Sequence, residues 1–221
     1  MMKRVLFITL IVGAVMLTGC TQKQAAPEAT DLFNGTDFTG WKLVSSDENV
    51  DVNDVWSVKD GVVHCTGVPN GYMMTEQSYS DYKLHVEWRW TDEATNSGVL
   101  LHCGDELDGI FWPNCFECQL KSGNAGDFVL IGPGKVTVDD STYINPERFI
   151  IVGKKHDSNE KPIGEWNTYD IEARGTTVAC FVNGMMQNNG VDLAASSGPI
   201  ALQSEGSPIE FRNIQITPLA K

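Results

Sequence analysis

Polar side chains able to bind hydroxyls or move protons recur along this chain at the spacing of β-strands. CFECQLK carries Glu117 and Gln119 two residues apart, and PIALQSEG carries Gln203 and Glu205 at the same spacing. YKLHVEWRW alternates Leu84, Val86, Trp88 and Trp90 with His85, Glu87 and Arg89. In GVLLHC, His102 has the opposite parity to Val99, Leu101 and Cys103. Residues two apart on a strand share a face, so four strands each offer one face carrying such groups. A face turned only to water favours Lys, Thr, Ser and mixed charges. Here Glu, Gln, His and Arg recur, with Trp112 and Asn114 in a neighbouring loop. Carboxylates and amides hold hydroxyls, and an aromatic ring covers the apolar side of a sugar. The set suits a concave polyol site equipped for proton transfer.

Strands must position these groups. Alternation predicts strands at 55–58, 82–90, 98–103, 115–121, 127–131, 169–173, 178–182, 199–203 and 209–216. Asn183-Gly184 and Asp60-Gly61 signal hairpin turns, because both residues of each pair tolerate positive φ. No segment has the pattern of an amphipathic helix. Many short strands with close turns predict an all-β protein built as a two-sheet sandwich.

The chain has 221 residues, long enough for one large β domain, and its six Trp and nine Phe can fill a core, which argues against disorder. The net charge of −13 argues against nucleic acid and anionic lipid surfaces as partners. At the N-terminus, Lys3 and Arg4 precede the apolar run from Val5 to Leu17, which is too short to span a bilayer comfortably and ends in Leu17-Thr18-Gly19-Cys20. This resembles a bacterial lipoprotein signal. It implies removal of residues 1–19, a lipid on Cys20, a tether over residues 20–31, a domain over 32–219, and a place in the cell envelope with membrane contact through the lipid alone.

Five further cysteines remain: Cys65, Cys103, Cys115, Cys118 and Cys180. Cys115 and Cys118 form a C-x-x-C, but strand parity turns them to opposite faces, and no second pair completes a zinc site. No metal and no cofactor are expected. Cys103 and Cys115 flank a loop and are able to form a disulfide; small buried thiols are the alternative. There is no P-loop, no G-x-S-x-G, no H-E-x-x-H and no EF-hand loop.

Ordered motifs add a further reading. They run Leu32-Phe33-Asn34-Gly35 with Gly40-Trp41; Trp56-Ser57-Val58 with Asp60-Gly61; Glu87-Trp88-Arg89-Trp90; Asn96-Ser97-Gly98; Glu117-Cys118-Gln119-Leu120; Trp166-Asn167; Asn183-Gly184; Gly198-Pro199-Ile200 with Leu202-Gln203; and Phe211-Arg212-Asn213-Ile214. Taken together they resemble the 3-keto-disaccharide hydrolase family from about residue 31 to residue 219. Trp112-Pro113 before Glu117, with Gly126-Asp127-Phe128 after it, resembles one branch of that family.

The resemblance implies a concanavalin A-like β-sandwich (jelly roll) and action on glycosides already oxidised at C3, beside a sugar oxidoreductase. A ketone at C3 acidifies the C2 proton. A base removes that proton, the C1 substituent leaves, and water adds back. By resemblance, Glu117 is the first choice for the base or a polar anchor beside it. Gln119 and Gln203 bind hydroxyls, and Glu87 and Arg89 match an E-x-R strand in which Arg89 stabilises the enolate or holds Glu87 ionised. Trp112 and Asp127 complete the expected binding set. His102 stands where many relatives have Arg, and Glu205 where many have His, so one of them would replace a proton-transfer group. Two alternatives stay open: a glycosidase on unoxidised glycans using Glu87 with Glu117, and a non-catalytic carbohydrate-binding lipoprotein.

Overall fold

The computed structural model describes residues 27–219. The expected signal, Cys20 and most of the tether lie outside them. In chain order the elements are β1 (Thr30–Asp31), β2 (Trp41–Ser45), α1 (Val52–Val55), β3 (Trp56–Lys59), β4 (Val62–Cys65), β5 (Gly71–Thr75), β6 (Tyr82–Trp90), β7 (Gly98–Leu101), β8 (Glu106–Leu107) and β9 (Ile110–Pro113). They continue with β10 (Cys115–Gln119), β11 (Phe128–Ile131), β12 (Gly134–Val138), β13 (Ser141–Asn145), β14 (Phe149–Val152), β15 (Asn167–Arg174), β16 (Thr177–Val182), β17 (Met185–Gly190), β18 (Ala201–Ser204) and β19 (Ile209–Pro218). The single helix among the described residues has four residues, and no amphipathic helix is found there.

Two antiparallel sheets stack face to face. The first has the order β17-β16-β15-β6-β19-β4-β3, with β1 added on β19; the second has the order β14-β11-β10-β7-β18-β5-β2. This is the expected all-β sandwich. Both predicted hairpin turns are present. Asp60 and Gly61 have φ of 53° and 77°, joining β3 to β4, and Asn183 and Gly184 have φ of 48° and 78°, joining β16 to β17.

The main core fills the space between the sheets. Leu84, Val86, Trp88 and Trp90 enter it from the first sheet; Val99, Leu101, Phe116, Cys118 and Leu202 enter it from the second. A second apolar cluster lies on the far side of the second sheet. It includes Tyr72, Leu100, Cys115, Val129, Ile131 and Ala201, roofed by Trp112 from β9. Cys115 and Cys118 therefore do face opposite ways, as strand parity requires.

Thr30 pairs with Ile216 and Asp31 with Gln215, so residues 30 and 31 already belong to the sandwich.

Candidate active site

The outer face of the second sheet carries a buried polar cluster. Glu117 on β10 pairs with Leu100 on β7, and Ala201 on β18 pairs with the same Leu100. One row along, Gln119 pairs with Gly98. Leu202 pairs with Val99, which sets Gln203 beside Gly98 from the other flank. Paired residues in a ladder share a face, so Glu117, Gln119 and Gln203 are brought together.

Gly98 makes that convergence possible. A Cβ there would stand inside van der Waals contact with Glu117 Oε1 and 2.6 Å from Gln203 Oε1. Both oxygens are buried and have no hydrogen-bond partner. Buried acceptors are nearly always paired, so these two are set to receive donors from a bound molecule or from a protonated carboxyl. Gln119 is tied differently: its Oε1 accepts from the backbone N–H of Leu120 at 3.0 Å and of Lys121 at 2.9 Å.

Glu205 joins the cluster from beyond the end of β18. Asn96 and Glu205 form a bridge that extends the β7–β18 pairing. Ser97 Oγ donates to the Gln203 carbonyl at 2.8 Å, and Ser207 N donates to Thr95 Oγ1 at 2.7 Å, fixing the backbone on both sides of Glu205. Burial raises the Glu205 carboxyl above its ordinary value, offset in part by the Asn96 side chain and the Lys121 charge. Burial pushes Glu117 much further up, and the Glu205 charge adds to it. Two neighbouring carboxyls thus have different proton affinities, the arrangement that divides acid and base duties.

Beside the polar cluster the same face is apolar and aromatic. Tyr72 on β5 lies 5.7 Å from Phe111 and 6.3 Å from Trp112, ring to ring. The β8–β9 hairpin brings both rings over the sheet, resting at its tip on Gly132, where a side chain would strike Leu107. Trp112 is 6% exposed, so it acts as packing for the hairpin rather than as an open platform.

Four expected site residues do not reach this cluster. Glu87 and Arg89 sit on the outer face of the first sheet, on the opposite side of the sandwich. There Arg212 Nε donates to Glu87 Oε2 at 2.7 Å, Asn213 donates to Oε1 at 2.7 Å, and Arg89 Nε donates to Glu210 at 2.5 Å. Burial raises Glu87, but the Asn213 and Arg212 bonds outweigh it and leave the carboxyl below its ordinary value. Arg89 and Arg212 also hold the Trp166 ring, at 4.6 and 4.0 Å from its centroid. The alternative pairing of Glu87 with Glu117 fails on the same ground, since two sheets separate them.

His102 departs from strand parity. Its φ of 54° breaks the alternation at the end of β7. The ring packs edge-on against Tyr82 at 5.9 Å, and Nδ1 is 3.2 Å from the Ala195 carbonyl. Burial lowers its pKa, favouring the neutral imidazole. Asp127 is a brace: Oδ1 accepts from Lys154 N at 2.8 Å and Oδ2 from Asn124 Nδ2 at 2.9 Å.

The sequence places Asn96 and Gly98 in a motif without a site role and gives Lys121 none. Their signal was parity, because Asn96 and Gly98 alternate into the same face as Leu100, and Lys121 follows Glu117 and Gln119. Among the described residues, no group of three or more His, Cys, Asp or Glu is placed to hold a metal ion.

Comparison with known proteins agrees with this architecture. The 3-keto-alpha-glucoside-1,2-lyase-like domain matches residues 28–217. A candidate glycosyl hydrolase from Parabacteroides distasonis is 22% identical, with a TM-score of 0.64 over 87% of this chain and 94% of that one. The carbohydrate binding module CBM66 of Bacillus subtilis is 13% identical, with a TM-score of 0.55 over 80% of this chain and 95% of that one. The Bacillus licheniformis beta-glucanase is 12% identical, with a TM-score of 0.56 over 90% of this chain and 100% of that one. At such identities these likenesses speak for the fold, a concanavalin A-like jelly roll. No curated protein matches the chain.

Proposed function

The chain belongs to the 3-keto-alpha-glucoside-1,2-lyase-like domain family, a family of carbohydrate-processing enzymes, and from that premise we propose that it cleaves glycosides already oxidised at C3. The observation that carries the proposal is the buried Glu117 carboxyl, gathered with Gln203 around Gly98, with the half-buried Glu205 carboxyl close enough for its charge to act on Glu117.

Glu205 ionises first and is the base; Glu117, held protonated, is the acid. This exchanges the base role expected of Glu117, because burial and the Glu205 charge both favour its neutral form. Glu205 takes the proton from C2, and the electron pair spreads onto the C3 oxygen, which accepts a hydrogen bond from the amide of Gln203. The pair then returns to form the C1=C2 bond as the C1–O bond breaks, and the departing oxygen takes the Glu117 proton. Water next adds to C1, giving up a proton to Glu117, while Glu205, its proton exchanged with solvent after the leaving group departs, protonates C2. The net change is hydrolysis. A separate oxidoreductase would supply the ketone, and a lipid on Cys20 would hold the enzyme at a membrane surface in the cell envelope.

The test is reaction of a 3-keto-glucoside in heavy water. The proposal expects deuterium at C2 of the free 3-keto sugar. Product without C2 label means direct displacement at C1. Binding without product leaves a carbohydrate-binding protein.

A further inference from the structure

The cysteines sort themselves by position. Cys118 and Cys180 meet in the core between the sheets, both 0% exposed, and Cys180 Sγ donates to the Gly126 carbonyl at 3.6 Å. Cys65 stands apart, accepting from Gly67 N at 3.4 Å. Cys103 and Cys115 lie outside the second sheet with their thiols in hydrogen-bonding reach of each other.

That last pair brackets the hairpin carrying Phe111 and Trp112. Gly104 N donates to the Asn114 carbonyl at 2.8 Å, and Asn114 N donates to the Asp105 carbonyl at 2.9 Å, closing the backbone at its base. The positive φ at His102 turns Cys103 to the outer face, where Cys115 already points. Both residues line a surface cavity of about 170 Å³, shared with His102, Asn114 and Lys135.

We propose that Cys103 and Cys115 are an oxidation site, forming one disulfide that ties the base of the 104–114 hairpin. The oxidant is a small disulfide such as oxidised glutathione. The Cys103 thiolate attacks it, forming a mixed disulfide and releasing one thiol. Cys115 then attacks Cys103 Sγ and expels the second thiol. Two protein thiols lose two electrons and two protons, which the oxidant takes up as two thiols. Cys118 and Cys180 stay reduced, because both are 0% exposed in the core between the sheets. The proposal stands apart from the catalytic one.

The folded full chain is incubated with oxidised glutathione, unfolded in N-ethylmaleimide, digested and mapped by mass spectrometry. The expected result joins Cys103 to Cys115 and recovers Cys65, Cys118 and Cys180 as alkylated thiols. A cross-link between Cys118 and Cys180 instead, or Cys103 and Cys115 recovered unlinked, overturns it. Oxidation should also slow proteolytic cutting within residues 104–114 several-fold in the unsubstituted chain and leave C103S unchanged. Equal protection in C103S is the second contrary result.

Discussion

Glu117 and Gln203 reach from strands far apart in sequence and direct side-chain oxygens at one point above Gly98. Neither oxygen has a partner, and the space they share exists only because residue 98 lacks a side chain.

Gly98→Ala should therefore disturb the site before it disturbs the fold. The added methyl displaces both oxygens, and β7 still pairs on both sides. Turnover should fall at least about tenfold, with a circular dichroism spectrum like that of the parent, since misplacement by about 1 Å can cost a hundredfold. Unchanged turnover would remove the cluster from the reaction.

The two carboxyls should produce a bell-shaped pH–rate profile. Activity rises as Glu205 ionises, above the ordinary 4.5, and falls as Glu117 loses its proton at much higher pH. Glu205→Gln should remove the acidic limb and Glu117→Gln the basic limb, each with a loss of about a hundredfold. Steady-state rates across pH check both.

Glu117→Gln should at the same time stabilise the protein near neutral pH. A carboxyl whose folded pKa lies above its unfolded value holds a proton that the unfolded chain releases, so its stability contribution is lost as pH rises past 4.5. The neutral amide has no such penalty. A melting temperature that rises at pH 7 while turnover collapses is expected; a lower melting temperature would mean that Glu117 is a structural group.

His85 and Asp170 form a pH-dependent brace on the first sheet, 2.9 Å apart. The Asp170 hydrogen bond raises His85 above 6.5, and the His85 bond lowers Asp170 below 3.8. The His85 contribution is complete below its unfolded pKa and fades as pH rises through the folded one. The Asp170 contribution is present above 3.8 and fades in stronger acid. Asp170→Asn should lower stability by about 1 kcal/mol or less at pH 5, with a smaller loss at pH 8, by thermal unfolding.

The Trp166 clamp is structural. Trp166→Ala loses two cation–π contacts, each worth about 0.5–1 kcal/mol, and should lower the melting temperature while kcat on a 3-keto-glucoside stays within about twofold. A large fall in kcat with an unchanged melting temperature would contradict the assignment of this face to stability.

Much of the strand content was legible because alternation is a local property. β6, β10, β16 and β19 lie where the period-two pattern places them. The strands β2, β5 and β12 to β14 carried weaker alternation and were passed over; β5 is buried on both faces over most of its length, which erases the pattern. The hairpin turns at 60–61 and 183–184 were fixed by residues that accept positive φ.

His102 marks the limit of that reasoning. Parity put it on the polar face and Cys103 on the core face, and a single residue at φ of 54° reversed both. Glu87 and Glu117 mark another. Each does point away from the core of its own sheet, as alternation requires, yet they stand on opposite sides of the molecule.

The sequence by itself determined that the chain alternates into strands, where it turns sharply, and which side chains avoid the core, because each follows from backbone geometry within a few residues. Which polar faces belong to one sheet depended on tertiary structure, since β7 pairs with β18 across about a hundred residues of intervening chain that alternation cannot see. The burial that separates Glu117 from Glu205 in proton affinity arises only from that pairing, because desolvation is a property of everything packed around a group rather than of the group.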